Sequence, residues 1–247
     1  MGEILGGAVG QRALVTPEYV ASGIERYDTA IRYTTDQLGR FFAQLDSRGL
    51  FDDALIVVTA DHGDEFFEHG GFSHGYSLYE EVVHVPLIVK LPGQREARRV
   101  ASLATLMDVL PTLAEAVGVA PPEDLDGRSL LAALRGEASE APEAEPALTF
   151  RVDFAPRLIG GGIAVGHHKL IAIEENYEGA SQVLRLYDLA ADPRERDDLA
   201  GREPELARRL LSRLAEENHA QLATAPPRAE LATDLDRERL RALGYVE

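Results

Sequence analysis

Ala54-Leu55-Ile56-Val57-Val58-Thr59-Ala60-Asp61-His62-Gly63 is the stretch whose reading decides the fold. Its first half is short, apolar and β-branched, which reads as a strand buried on both faces, as in a parallel sheet. The run stops at a carboxylate. In open α/β sheets ligands bind just beyond the carboxyl ends of strands, so Asp61 and His62 stand where chemistry is usually done. Gly63 lets the backbone turn there. A carboxylate oxygen beside an imidazole nitrogen is a metal-ligand pair of the kind that zinc or manganese accepts. His69 and His74 follow in a Gly-punctuated segment that cannot form a packed helix. An isolated Asp-His pair also serves as a turn or helix cap, but three histidines in one such loop favour metal or anion binding.

Outward from this centre, the chain of 247 residues is long enough for one α/β domain with an appendage. The net charge of −17 argues against nucleic acid or an anionic membrane as partner, because both call for basic patches. The absence of cysteine removes disulfides, thiolate ligands and a cysteine nucleophile. No segment approaches eighteen uninterrupted apolar residues, and residues 1–10 lack a basic n-region. The expectation is a soluble chain without transmembrane segment or signal peptide as written. Compartment stays open, export or membrane tethering of a parent enzyme included.

Before the central strand, Thr16-Pro17-Glu18 reads as a helix start: a hydroxyl cap, Pro at the first position and an acid at the positive end of the dipole. Val20, Ile24, Tyr27, Ile31, Leu38, Phe41 and Leu45 then recur at helical spacing to a stop near Gly49. Beyond the centre, 64–75 reads as a polar surface loop in which Glu65 and Glu68 form a solvated face, with Glu65 close enough to orient a histidine. The same pass gives a short helix over 76–83, a strand over 86–90 and a helix over 102–117 that Pro111 kinks or divides. A turn at Asp126-Gly127 and a short helix over 129–134 follow. Residues 148–152, 162–165, 169–173 and 183–187 read as strands of an antiparallel sheet, and 204–218 as an amphipathic helix. His84, His167 and His168 are taken as structural.

Two chemistries compete for the histidine loop. Gly71-Phe72-Ser73-His74-Gly75 satisfies G-x-S-x-G, with Asp108, Asp153 and His167 downstream in triad order, so a serine esterase using Ser73 is one reading. A nucleophile elbow needs a buried strand directly before it and a helix directly after, and the acidic run 64–69 does not supply the strand.

The second reading rests on more residues. Thr59 to Gly63, His69-Gly70, His74-Gly75, Leu78-Tyr79-Glu80-Glu81 and Val85 to Val89 together resemble the sulfatase-like branch of the alkaline phosphatase superfamily. Tyr27-Asp28 through Gly39 looks like the family helix before its metal strand, and Asp108 with Pro111-Thr112, Asp126-Gly127, Lys169-Leu170-Ile171, Tyr187-Asp188-Leu189, Asp192-Pro193 and Leu243-Gly244-Tyr245 fit later signposts of that family. The resemblance implies a metal-dependent hydrolase or transferase of sulfate or phosphate esters, carried by small molecules, glycans or lipids. Asp61 and His62 would hold the divalent ion. His74 would meet the transferred anionic group or a second metal, or act as acid, and His69 would serve as a weaker accessory.

Departures from the family are equally specific. His62 stands where calcium-binding sulfatases carry Asn, so zinc or manganese is favoured over calcium. No lysine precedes Lys90, which leaves His74 to supply positive charge, and no C/S-x-P-x-R nucleophile motif is present. The expected fold is therefore a three-layer α/β/α sandwich with a mostly parallel sheet, its N-terminal part missing, plus a small antiparallel sheet with a helix. Its expected divisions are the α/β portion over 13–136, an acidic linker over 137–146, the antiparallel subdomain over 147–225 and a tail over 226–247. A non-catalytic remnant or binding module of the same fold is the alternative.

Overall fold

A computed structural model describes residues 15–75, 77–101, 103–123, 125–137, 147–152, 158–174 and 182–224. The acidic linker, save Glu137, and the tail from Pro226 lie outside the described residues.

Helix α1 (Pro17–Ser47) begins where the cap reading puts it: the Thr16 hydroxyl accepts from the Tyr19 amide at 3.2 Å, and Pro17 occupies the first turn. It ends at Arg48, and Gly49 takes the left-handed conformation, φ 65°, that a side chain would strain. Strand β1 (Ile56–Thr59) pairs with β4 (Leu87–Lys90), Ile56 opposite Lys90 and Thr59 opposite Leu87. The pairing is antiparallel and both strands are half-buried, which corrects the expectation of a β1 buried on both faces in a parallel sheet. An apolar run reports burial but not strand direction. Parallel partners for β1 and β4 are not among the described strands.

Between them, β2 (Glu65–Phe66) and β3 (Phe72–Ser73) form a minimal hairpin. Phe66 and Phe72 pack edge to face at 5.7 Å, and α1 meets them through Tyr27 and Tyr19 at 5.2 and 5.0 Å between ring centroids. The loop read as polar surface is thus anchored by aromatics. Helix α2 (Glu80–Val83) is shorter than the span expected over 76–83.

The helix expected over 102–117 is also shorter. A 3-10 turn (Leu106–Asp108) leads into α3 (Val109–Ala116), and Pro111 lies in the first turn of α3, where its missing N–H has no acceptor to lose. Asp108 staples this region: its buried carboxylate accepts from the Thr105 and Arg128 amides, both at 2.8 Å. Helix α4 (Leu131–Arg135) then stops at Gly136.

Four strands, β5 (Ala147–Val152), β6 (Leu158–Val165), β7 (His168–Glu174) and β8 (Gln182–Asp188), form one antiparallel sheet in chain order, as the alternating pattern predicts. Its two faces bury different partners. Leu170, Ala172, Leu186 and Ile163 face Ala207, Leu210 and Leu214 of α5 (Pro204–Thr224). Ile171 and Tyr187 face Leu78 and Tyr79. Gly161 lets α5 approach, since a Cβ there would meet Leu214 Cδ2 at 3.3 Å.

Candidate metal and anion site

Asp61 and His62 leave the carboxyl end of β1, and Gly63 sends the chain back beneath α2. The Gly63 amide donates to the Val82 carbonyl at 2.8 Å, and a Cβ on Gly63 would fall 2.2 Å from the Glu81 carbonyl oxygen, so no larger residue fits. This contact fixes where His62 and Asp64 can stand.

The ring of His62 stacks on that of His74, with centroids 3.8 Å apart and planes 28° from parallel. Nδ1 of His62 lies 3.0 Å from the Gly63 carbonyl, which can only accept, so the hydrogen sits on Nδ1 and the Nε2 lone pair is free. Nδ1 of His74 likewise donates to Asp64 Oδ1 at 2.8 Å. Donor atoms of His62, Asp64 and His74 all lie within 4.8 Å of one another, the spacing of a group able to hold a cation.

Asp61 is placed less tightly. Its side chain is 84% exposed; Oδ1 accepts from the His62 amide at 3.0 Å and lies 3.8 Å from His62 Nε2. It stands beside His62 but outside the converging group. Asp64, which the sequence reading passed over, is the carboxylate inside it. The signal available was spacing: Asp64 and His74 flank the ends of the hairpin Glu65–Ser73, which brings residues 64 and 74 together.

Glu65 is a second correction. Far from being a solvated face, it is 1% exposed, and its carboxylate accepts from the amides of His69 at 3.0 Å and Gly71 at 2.7 Å and from the Ser77 hydroxyl at 2.8 Å. Gly71 is what admits it, since a Cβ there would meet Glu65 Oε2 at 2.7 Å. One buried carboxylate thereby shapes the loop that carries His74. Glu68 is exposed and accepts from the Phe66 amide at 2.5 Å.

His69 points away from this group. Its ring stacks on Tyr79 at 3.7 Å, and Nε2 lies 3.4 Å from Glu81 Oε2. His69, Glu81 and Glu195 form a separate cluster under α2, where Lys169 already pairs with Glu195 Oε1 at 2.9 Å. His84 pairs with Glu80 at 3.0 Å on the surface, and His167 and His168 lie together near Asp188 at the β6–β7 turn.

No triad forms around Ser73 among the described residues. Its Oγ is 3.4 Å from His74 Nδ1, the same nitrogen that binds Asp64, whereas a triad uses opposite ring nitrogens for nucleophile and acid. No helix follows Ser73 directly, Asp108 is committed to backbone amides, and Asp153 lies outside the described residues. Ser73 does hold a positive φ of 73°, but between a two-residue strand and an irregular loop.

A short hairpin at the end of a strand, two stacked histidines and a C-terminal antiparallel sheet packed by one helix fit the sulfatase-like resemblance. Comparison with known proteins agrees. The Sulfatase family profile matches residues 9–119, and that of N-sulphoglucosamine sulphohydrolase, C-terminal, matches residues 67–220. The chain belongs to the sulfatase-like branch of the alkaline phosphatase superfamily, in the group described by the C-terminal region of N-sulphoglucosamine sulphohydrolase.

Arylsulfatase K of Mus musculus is 33% identical over 190 residues, 73% of this chain and 33% of the relative. A multifunctional alkaline phosphatase superfamily protein, PehA of Trinickia caryophylli, is 34% identical over 210 residues, 81% of this chain and 40% of the relative. A structure solved with its substrate D-glucosamine-2-N,6-O-disulfate superposes with a TM-score of 0.61 at 26% identity, covering 77% of this chain and 39% of that one. The fold is thus the alkaline phosphatase-like α/β fold with a small antiparallel sheet. The chain spans between a third and two-fifths of the length of these relatives. No helix among the described residues is long and apolar enough to cross a membrane.

Proposed function

We propose that this chain forms one side of the site of a metal-dependent sulfate-ester hydrolase, with sulfated glucosamine as the substrate class. The observation that carries the reading is the pair of stacked histidines at the end of β1, each anchored through Nδ1, with donor atoms of both within 4.8 Å of one another and of Asp64. Asp61 and His62 hold a divalent ion there. Imidazole nitrogen in the donor set suits zinc or manganese better than calcium, which takes oxygen ligands.

When bound, such an ion stabilises developing negative charge and activates a nucleophile. The chain's own residues do the remainder. His74 supplies the positive charge that meets the sulfuryl group, and Asp64 holds its ring in place. The nucleophile and the remaining ligands come from an N-terminal portion like that of the relatives, because catalytic zinc sites have at least three protein ligands. The uncovered apolar face of α1 supports that arrangement, with Ile24, Ile31 and Phe41 all exposed.

The same uncovered face favours a second reading, a non-catalytic module of this fold. Turnover separates the two. In an enzyme where this chain is completed by the N-terminal part of a sulfatase, hydrolysis of a glucosamine sulfate is expected, and Asp61→Ala abolishes it. Retained turnover in that variant would end the proposal. Parallel assay of the corresponding phosphate ester decides between sulfate and phosphate as the transferred group.

A further inference from the structure

The C-terminal sheet meets α2 through a buried charge cluster that the proposed reaction does not use. Lys169 on β7 is 2% exposed, and its ammonium contacts Glu80 Oε1 at 2.7 Å and Glu195 Oε1 at 2.9 Å. Glu195, 1% exposed, accepts through Oε2 from the Glu80 amide at 2.6 Å, at the first residue of α2. Its backbone is held at φ 51°, an unusual conformation for a non-glycine residue that persists only where the surroundings over-determine it. Burial pushes its carboxyl up, against the opposing pull of Lys169.

From α2 the contacts run on to the candidate site. Tyr79, just before the helix, packs against Tyr187 of β8 with ring centroids 6.2 Å apart and stacks on His69. Val82 accepts from the Gly63 amide, between His62 and Asp64. The helix has a single turn, so it has little stability of its own and takes its position from what it is bonded to.

We propose that Lys169 and Glu195 are positioning residues: the C-terminal sheet fixes α2 through them, and α2 fixes Gly63 and with it His62 and Asp64. Their importance for catalysis rests on the proposed function, but the mechanical linkage does not. The C-terminal subdomain is then part of the apparatus that shapes the site.

Amide hydrogen exchange of the metal-free full chain tests the linkage, with Glu195→Gln, Lys169→Met and Glu80→Gln. The expected result is exchange at the Gly63 amide faster by about tenfold or more, while the Leu170 and Leu186 amides of strands β7 and β8 stay within about twofold. Unchanged Gly63 exchange in a folded variant would overturn the proposal. Glu80→Gln keeps the test decisive should the buried variants fail to fold, since Glu80 is only partly buried. Zinc titration of the same proteins supplies a readout that simple loss of stability does not move. Affinity is expected to fall about tenfold in Glu80→Gln without change in the thermal midpoint. Faster Gly63 exchange in a chain that binds no zinc leaves the linkage standing and removes only the functional reading.

Discussion

Helices α1 and α5 are both long, both amphipathic and both begin with proline, yet they end in opposite circumstances. Ala207, Leu210 and Leu214 of α5 are buried against β6, β7 and β8. Not one residue of α1 is fully buried, and Ile31, in the middle of its apolar stripe, is 49% exposed. Apolar periodicity marks a face that has to be covered; it does not say what covers it. For α5 the cover is in this chain. For α1 the described residues supply only the Phe66–Phe72 hairpin and Phe51, and its remaining stripe fits a fold whose relatives are more than twice as long.

This contrast is broken most severely by truncation. Leu214→Ala is expected to destabilise the C-terminal unit by about 2–5 kcal/mol, because the cavity beside Gly161 cannot refill. Ile31→Ala is expected to change stability by no more than about 0.5 kcal/mol. Urea unfolding monitored on each part reads both, and equal effects would erase the distinction between the two helices. Next in size, Glu65→Ala leaves three donors of the histidine loop without an acceptor and is expected to cost about 1–3 kcal/mol. Glu65→Gln, which keeps an acceptor oxygen, should recover part of this in the same experiment.

Smaller and more local effects sharpen the site. Asp61→Ala and Asp64→Ala are expected to weaken zinc binding unequally. The ligand should lose about 100-fold and the group that only orients His74 about 10-fold, as measured by isothermal titration. A larger loss from Asp64 would move the ion into the His62–Asp64–His74 group. The smallest effect is a pH dependence at the turn after β8. The Asp197 backbone N–H, joined by that of Arg196, holds the Asp192 carboxyl below its ordinary value of 3.8 despite some desolvation. Its stabilising contribution is therefore present above pH 3.8 and lost as the pH falls through the depressed value. Acid titration should show the loss, and Asp192→Asn should remove that part of the profile.

Much of this was legible in the sequence because local chemistry decided it. Thr16-Pro17 sets a helix start wherever it occurs, and the alternation through Lys169-Leu170-Ile171-Ala172 sends successive residues to opposite sides of a sheet. Asp61 and His62 were visible as a polar stop after an apolar run. What escaped was decided by contacts between residues distant in the chain. The antiparallel pairing of β1 with β4 leaves no mark on either strand alone. Glu65 looked solvated because nothing in its neighbours announces that it will bond the His69 and Gly71 amides. Asp64 joins the histidines only once the hairpin closes, and Glu195 reaches Glu80 across 115 positions.

The central claim is that the end of β1 holds a divalent ion through Asp61 and His62. Metal content after equilibrium dialysis against zinc, and separately manganese, tests it most directly on the wild-type chain and on His62→Ala. The account predicts one stoichiometric ion per wild-type chain and loss of that ion in the variant. A wild-type chain that retains none, or a variant that retains as much, contradicts it.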